Sequence, residues 1–267
     1  MPLILNSQTG DHTSGISRSL YIPEERNTSI KIGDREVKIS ILQYGSKKDI
    51  LYINLHDNET TSFLAAKSVL EEQGGTLINI ENNNQRVIRF RLNGINYGFD
   101  PNRIYSSAGI GQTLRDNRRY SRDAANAIEK FASQVLALIT DSISCIVALH
   151  NNFDGGFSVN SYLNGGERQK DARSVYVDSL QDNDDIAFTT DSLLFQKMAE
   201  KGFNSIWQDN INAKRDGSLS IYCGENNIRY INIETEHGRS EQYIEMLERL
   251  VSILKDEKRT SPTNEEN

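Results

Sequence analysis

Ile50-Leu51-Tyr52-Ile53-Asn54-Leu55-His56-Asp57-Asn58-Glu59 is the stretch on which the reading of this chain turns. Its first six residues are almost all apolar, the pattern of a short strand buried on both faces, and its last four are polar. A second such run, Cys145-Ile146-Val147-Ala148-Leu149, ends in His150. The chain holds four histidines, and two of them stand at the carboxyl ends of these runs. In an open α/β sheet that is where ligands bind. Two histidines and a glutamate are a common ligand set for a catalytic zinc, which keeps a fourth position open. His56 and Glu59 are three apart where the strand gives way to a loop or a first helical turn, so they can face one point. His150 is the natural third ligand, and one Zn2+ is the expected cofactor.

Working outward, Thr28 to Gly45 alternates apolar and polar residues around Gly33-Asp34, which predicts a β-hairpin. Thr61 to Gln73 has helical spacing and stops at Gly74-Gly75. Thr76 to Ile80 reads as a strand, and Val87 to Phe99 as a hairpin turning at Asn93-Gly94. Arg122 to Thr140 is the longest expected helix, and Ile143 to Leu149 the next buried strand. Asn151 to Gly166, rich in glycine and asparagine, reads as a loop region with some strand character. Ser192 to Lys201 (helix), Phe203 to Gln208 (strand), Ile228 to Thr235 (strand) and Gln242 to Leu254 (amphipathic helix) follow. Alternating strands and helices point to an α/β layered sheet. The expected division is a leader over 1–27, one domain over 28–254 and a polar, disordered tail over 255–267.

Composition narrows the function classes. The 267 residues are 37% apolar and 25% charged, which suits a globular chain with a sizeable core. Thirty basic against 37 acidic side chains leave a net charge of -7. That argues against a nucleic-acid partner or an anionic membrane surface. No apolar run approaches the roughly 20 residues of a membrane span. No signal peptide is visible at Met1 to Gly10, and removal of a leader would look the same. The compartment therefore stays open between cytoplasmic and secreted or periplasmic, as does the oligomeric state. Cys145 and Cys223, both in apolar runs, are expected to be buried free thiols.

Of the other histidines, His12 lies in the polar leader and His237 is expected to be structural or on the surface. A base for a metal-activated water is sought among carboxylates. In Tyr230-Ile231-Asn232-Ile233-Glu234-Thr235-Glu236 the alternation of a strand puts Asn232, Glu234 and Glu236 on one face. Glu234 is the first choice and Glu236 the reserve. A carboxylate on a substrate needs an arginine fork, and Asp100-Pro101-Asn102-Arg103 offers Asn102 and Arg103 side by side. Arg89 and Arg91 share one strand face, so one of them, Arg91 first, could reach the same cavity and polarise a carbonyl. The basic run Arg115, Arg118, Arg119 and Arg122 reads as a solvated helix entrance.

With these residues assembled, the chain resembles the zinc carboxypeptidase superfamily, including its aspartoacylase and succinylglutamate desuccinylase branch. His56-Asp57-Asn58-Glu59 looks like its first metal motif, Asn102-Arg103 like its carboxylate-gripping pair, His150 like its third ligand and Glu234 like its catalytic glutamate. The motifs fall in the family's order over about residues 50 to 250. No motif marks the tyrosine that closes over substrate in carboxypeptidases; Tyr162 is the candidate. The resemblance implies a three-layer α/β/α sandwich with a mixed, mostly parallel sheet. It also implies zinc-dependent hydrolysis of an amide next to a free carboxylate, most simply by a metallocarboxypeptidase acting on peptides. A small N-acyl amino acid is the alternative substrate. The extra β-domain of the acylase branch is not expected after the last expected helix. A third possibility is a non-catalytic carboxylate-binding protein on the same fold.

Overall fold

The computed structural model describes residues 20–260. His12 and residues 261–267 of the expected tail lie outside them. The first strands are β1 (Glu24–Ile32), β2 (Arg35–Tyr44), β3 (Ile50–Asn54) and β4 (Gly75–Ile80). A separate hairpin follows, β5 (Ile88–Leu92) with β6 (Ile95–Phe99). The later strands are β7 (Cys145–Asn152), β8 (Ala172–Tyr176), β9 (Ile186–Thr189), β10 (Asn204–Gln208) and β11 (Tyr230–Glu236). The helices are α1 (Thr60–Gln73), α2 (Ser107–Asp116), α3 (Arg122–Leu136), α4 (Ser192–Glu200), α5 (Leu219–Glu225) and α6 (Ser240–Thr260).

Nine strands form one sheet in the order β1-β2-β4-β3-β7-β11-β9-β10-β8. The central strands β4, β3, β7 and β11 run parallel, and antiparallel pairings occur on both flanks, so the sheet is mixed. Alternation along the central strands feeds two cores. Leu51, Ile53, Ile146 and Ala148 face α2, α3, α5 and the β5–β6 hairpin, while Tyr52, Val147, Leu149 and Ile231 face α1, α4 and α6. The result is an α/β fold of three layers, α/β/α. Burial of each leucine, isoleucine or valine side chain among them contributes about 1.5–3 kcal/mol. Cys145 and Cys223 are buried and free. Among the described residues no helix is long and apolar enough to cross a membrane.

Several boundaries differ from expectation, each for a tertiary reason. β1 begins at Glu24, inside the stretch expected to be leader, because it pairs with β2 from Glu24↔Gln43 onward. β7 runs through His150 to Asn152, since the parallel ladder with β11 continues to Glu236↔Asn152 and pairs the backbone of the polar residues there. α3 ends at Leu136, short of Thr140. Helix α6 continues past Leu254 into the expected tail. Arg229 holds Glu257 with bonds of 2.6 and 2.8 Å, and Lys258 pairs with Asp49. α2, β8, β9 and α5 are additional elements. α2 carries Gly109 and Gly111, poor helix formers, but the Ser106 side chain caps it by accepting from Gly109 N at 3.1 Å. Gly109 is required by contact: a Cβ there would lie 2.5 Å from the Cα of Gly217. That close approach brings the loop before α5 against the segment carrying Asn102 and Arg103.

Candidate metal centre

Parallel strands β3, β7 and β11 end side by side, and the polar residues expected to do chemistry gather at those ends. His56 lies just beyond β3, Glu59 at the entrance to α1, and His150 near the end of β7. All three are buried, and one ligand atom from each lies within 4.8 Å of the others. His56 Nδ1 is 3.0 Å from Glu59 Oε1 and 3.2 Å from His150 Nδ1; His150 Nδ1 is 2.8 Å from Glu59 Oε2. Two imidazoles and a carboxylate turned on one point are a donor set suited to a metal ion. A cation there would replace the protons now shared between these groups, so its affinity falls as pH falls.

Residues around the cluster orient it. His56 Nε2 faces Asp100 Oδ1 at 2.7 Å. A carboxylate can only accept, so the ring proton sits on Nε2 and Nδ1 is turned to the cluster. Asn102 Nδ2 approaches His150 Nε2 at 3.2 Å, and Asn102 Oδ1 accepts from Leu219 N at 2.9 Å. Asn151, next to His150, accepts from Ser62 N at 3.0 Å and caps the first turn of α1 from another strand. Burial works against charge on His56, but Glu59 and Asp100 outweigh it and raise its pKa. Burial would raise Glu59 and Asp100 as well. The histidines beside Glu59, and His56 with Arg86 beside Asp100, hold both well below the usual carboxylate range. Burial lowers His150. Asp100→Asn is expected to weaken metal affinity roughly 10–100-fold with the fold intact, measured by chelator competition and circular dichroism.

A cavity of about 480 Å³ opens beside the cluster. Glu59, His150, Asn102, Arg103, Tyr162 and Glu234 all line it. Glu234 stands across from His150 in the β7–β11 register. Burial, then the charge of Glu59, pushes its carboxyl up to about 7. Glu236 does not line the cavity; it groups with Asp154 and Asp184. Arg103 donates to the Asn102 carbonyl at 2.7 Å and lies 3.6 Å from Asp216. Tyr162 is buried in the wall, its ring 5.4 Å from those of Phe157 and Phe188. His237 is exposed at the rim.

Arg91 is a correction. It and Arg89 lie on the β5–β6 hairpin and line a different depression with Arg35 and Arg118. Strand β5 belongs to a separate two-stranded sheet, and Arg91 N is held by Asp34 Oδ1 at 2.8 Å. The arginine that reaches the cluster is Arg86, which donates to Glu59 Oε1 at 2.7 Å and Asp100 Oδ2 at 3.1 Å. Its loop is shaped by Asp57, whose Oδ2 accepts from Asn82 N and Asn84 N, both at 2.7 Å. Asn83 and Asn84 take positive φ there, 53° and 56°, which asparagine tolerates. Arg86, Asp100 and Asn151 went unassigned from sequence. Asp100 and Asn151 adjoin motifs already singled out, whereas nothing periodic marks Arg86.

No family model matches this chain, and no curated protein matches it. Among solved structures it is similar to the murein-tripeptide amidase MpaA of Escherichia coli O157, at 10% identity over 92% of this chain and 96% of that one, with a TM-score of 0.47. It is also similar to an aspartoacylase family protein of Mesorhizobium loti, at 13% identity over 87% and 67% of the two chains, TM-score 0.44. Thrombin activatable fibrinolysis inhibitor is similar at 8% identity over 88% and 68%, TM-score 0.43.

Proposed function

We propose that this chain is a zinc-dependent hydrolase that cleaves an amide bond next to a free carboxylate, a metallocarboxypeptidase-like activity on peptides. One observation carries the reading: the buried His56–Glu59–His150 cluster opens into the cavity that Glu234 and Arg103 also line. His56, Glu59 and His150 would hold the metal, with Asp100 behind His56. Zinc, when bound, supplies a Lewis acid that makes water nucleophilic at neutral pH.

The chain's own residues do the rest. Glu234 takes the proton of the attacking water and passes it to the leaving nitrogen; a carboxyl tuned near neutrality suits both transfers. Arg103 anchors the substrate's terminal carboxylate through paired hydrogen bonds, with Asn102 beside it. Arg86, at the inner edge of the cavity, takes the carbonyl-polarising role first sought in Arg91. Tyr162 forms part of the wall over the substrate.

The test is metal content after purification, followed by residue release from a mixed set of peptides and of N-acyl amino acids. Release of C-terminal residues by zinc-loaded protein, abolished by chelation, is the expected result. Turnover of N-acyl amino acids alone would move the substrate class to the acylase type. Tight binding of carboxylate ligands with no turnover of either set would sink the enzymatic reading.

A further inference from the structure

Tyr243 belongs to no ligand set, yet its hydroxyl meets the backbone of the elements that carry the site. It projects from α6 and is wholly buried in the layer shared with α1. Its Oη accepts from His150 N at 3.1 Å and donates to Ile233 O at 2.6 Å. Ser62 interacts with the same hydroxyl, and Ser62 Oγ donates to the Glu59 carbonyl at 2.8 Å. One oxygen therefore joins β7 at its metal ligand, β11 at the residue before Glu234, and the first turn of the helix that Glu59 opens.

His150 and Glu234 are register partners, side by side on parallel strands. Neighbouring strands lie roughly 4.8 Å apart, and a hydroxyl bonded to an N–H of one and a C=O of the other holds that separation at this step. Tyr243 belongs to the same buried apolar cluster as Leu149, Ile233 and Leu247, so loss of its hydroxyl there is not made good by bulk solvent. We propose that Tyr243 is a positioning residue whose hydroxyl sets the placement of His150 relative to Glu59 and Glu234, and so the geometry of the metal centre. This inference rests on the metal-centre reading above, and its test separates the two.

Tyr243→Phe keeps the ring and removes the hydroxyl. In the full chain loaded with Co2+, the visible d–d bands are expected to change in intensity or position. Zinc affinity by chelator competition is expected to fall roughly 10-fold or more, as for other partners that orient metal ligands. Hydrolysis should lose kcat with little change in KM. Tyr44→Phe is the control, because it removes a buried hydroxyl from the same layer that has no partner among the described residues; all readouts should match wild type. A folded Tyr243→Phe with the wild-type cobalt spectrum and zinc affinity would overturn the proposal, as would an equal change in Tyr44→Phe. Should Tyr243→Phe not fold, Tyr243→Met, which also lacks the hydroxyl and fills irregular space, takes its place; a shift in the same direction supports the proposal and an unchanged spectrum overturns it. If wild type hydrolyses nothing while the spectrum and affinity still respond to Tyr243→Phe, the positioning role stands and the hydrolase reading falls.

Discussion

Glu234→Gln should lower kcat by about 10²–10⁴-fold, the usual contribution of a positioned acid–base group, with zinc content unchanged. The substitution keeps the shape of the side chain and removes its ability to hold a proton. Burial and the nearby charge of Glu59 push the Glu234 carboxyl up to about 7. In the proposed role it works as a base when deprotonated, so kcat/KM should rise with pH through its pKa and be lost on the acid side. A cation on the cluster offsets the charge of Glu59, so the acid limb of the loaded enzyme should lie below about 7. The variant should lose that limb. Retention of full activity or of the acid limb in Glu234→Gln would remove the residue from its role. The same shift bears on stability in the metal-free protein. Between the ordinary glutamate value and about 7, the folded state binds a proton that the unfolded chain lacks. Stability from this group therefore falls as pH rises across that window.

His150→Ala should abolish both metal retention and turnover. It leaves His56 and Glu59 as ligands where a catalytic zinc needs three. The loss of affinity should exceed the roughly 10–100-fold expected for Asp100→Asn, which removes only a partner of a ligand. Thermal unfolding gives a readout free of substrate. Wild type should be stabilised by added zinc, by about 2.7 kcal/mol at a free concentration one hundred times Kd, and His150→Ala should not respond. Equal zinc stabilisation of wild type and variant would place the metal elsewhere. The second acidic grouping, Asp154 with Asp184 and Glu236, is where such a result would direct attention.

Much of the central sheet was legible because its strands declare themselves locally. Ile50 to Leu55 and Cys145 to Leu149 are nearly all apolar, on both faces, and the abrupt change to histidine marks where each apolar run stops. Polar residues hid the continuation of β7, since its last three positions are held by pairing with β11 rather than by apolar burial. The charged end of α6 looked like a tail for a similar reason: Glu257 and Lys258 are tied down by Arg229 and Asp49, far away in sequence. Asn151 shows the same limit at the site itself. It caps α1 across 89 positions of sequence, a partnership that no window of neighbouring residues contains.

The sequence alone determined which residue types stand at strand ends, because a strand's apolar pattern and its termination are local properties of the chain. That sufficed to single out His56, Glu59 and His150, which lie together in the structure, and the pair Asn102 and Arg103, which line the cavity beside them. Tertiary structure alone decided between equals. Glu234 and Glu236 share one face of β11, one pleat or roughly 7 Å apart. Only the packing of β7 and of the segments bearing Asp154 and Asp184 leaves the first in the cavity and draws the second away. Arg91 sits on a strand of well-formed alternation yet faces another depression, while Arg86, on an unpatterned loop, reaches the cluster. Convergence of side chains depends on which strands become neighbours, and that is set by the burial of the whole sheet rather than by any stretch of it.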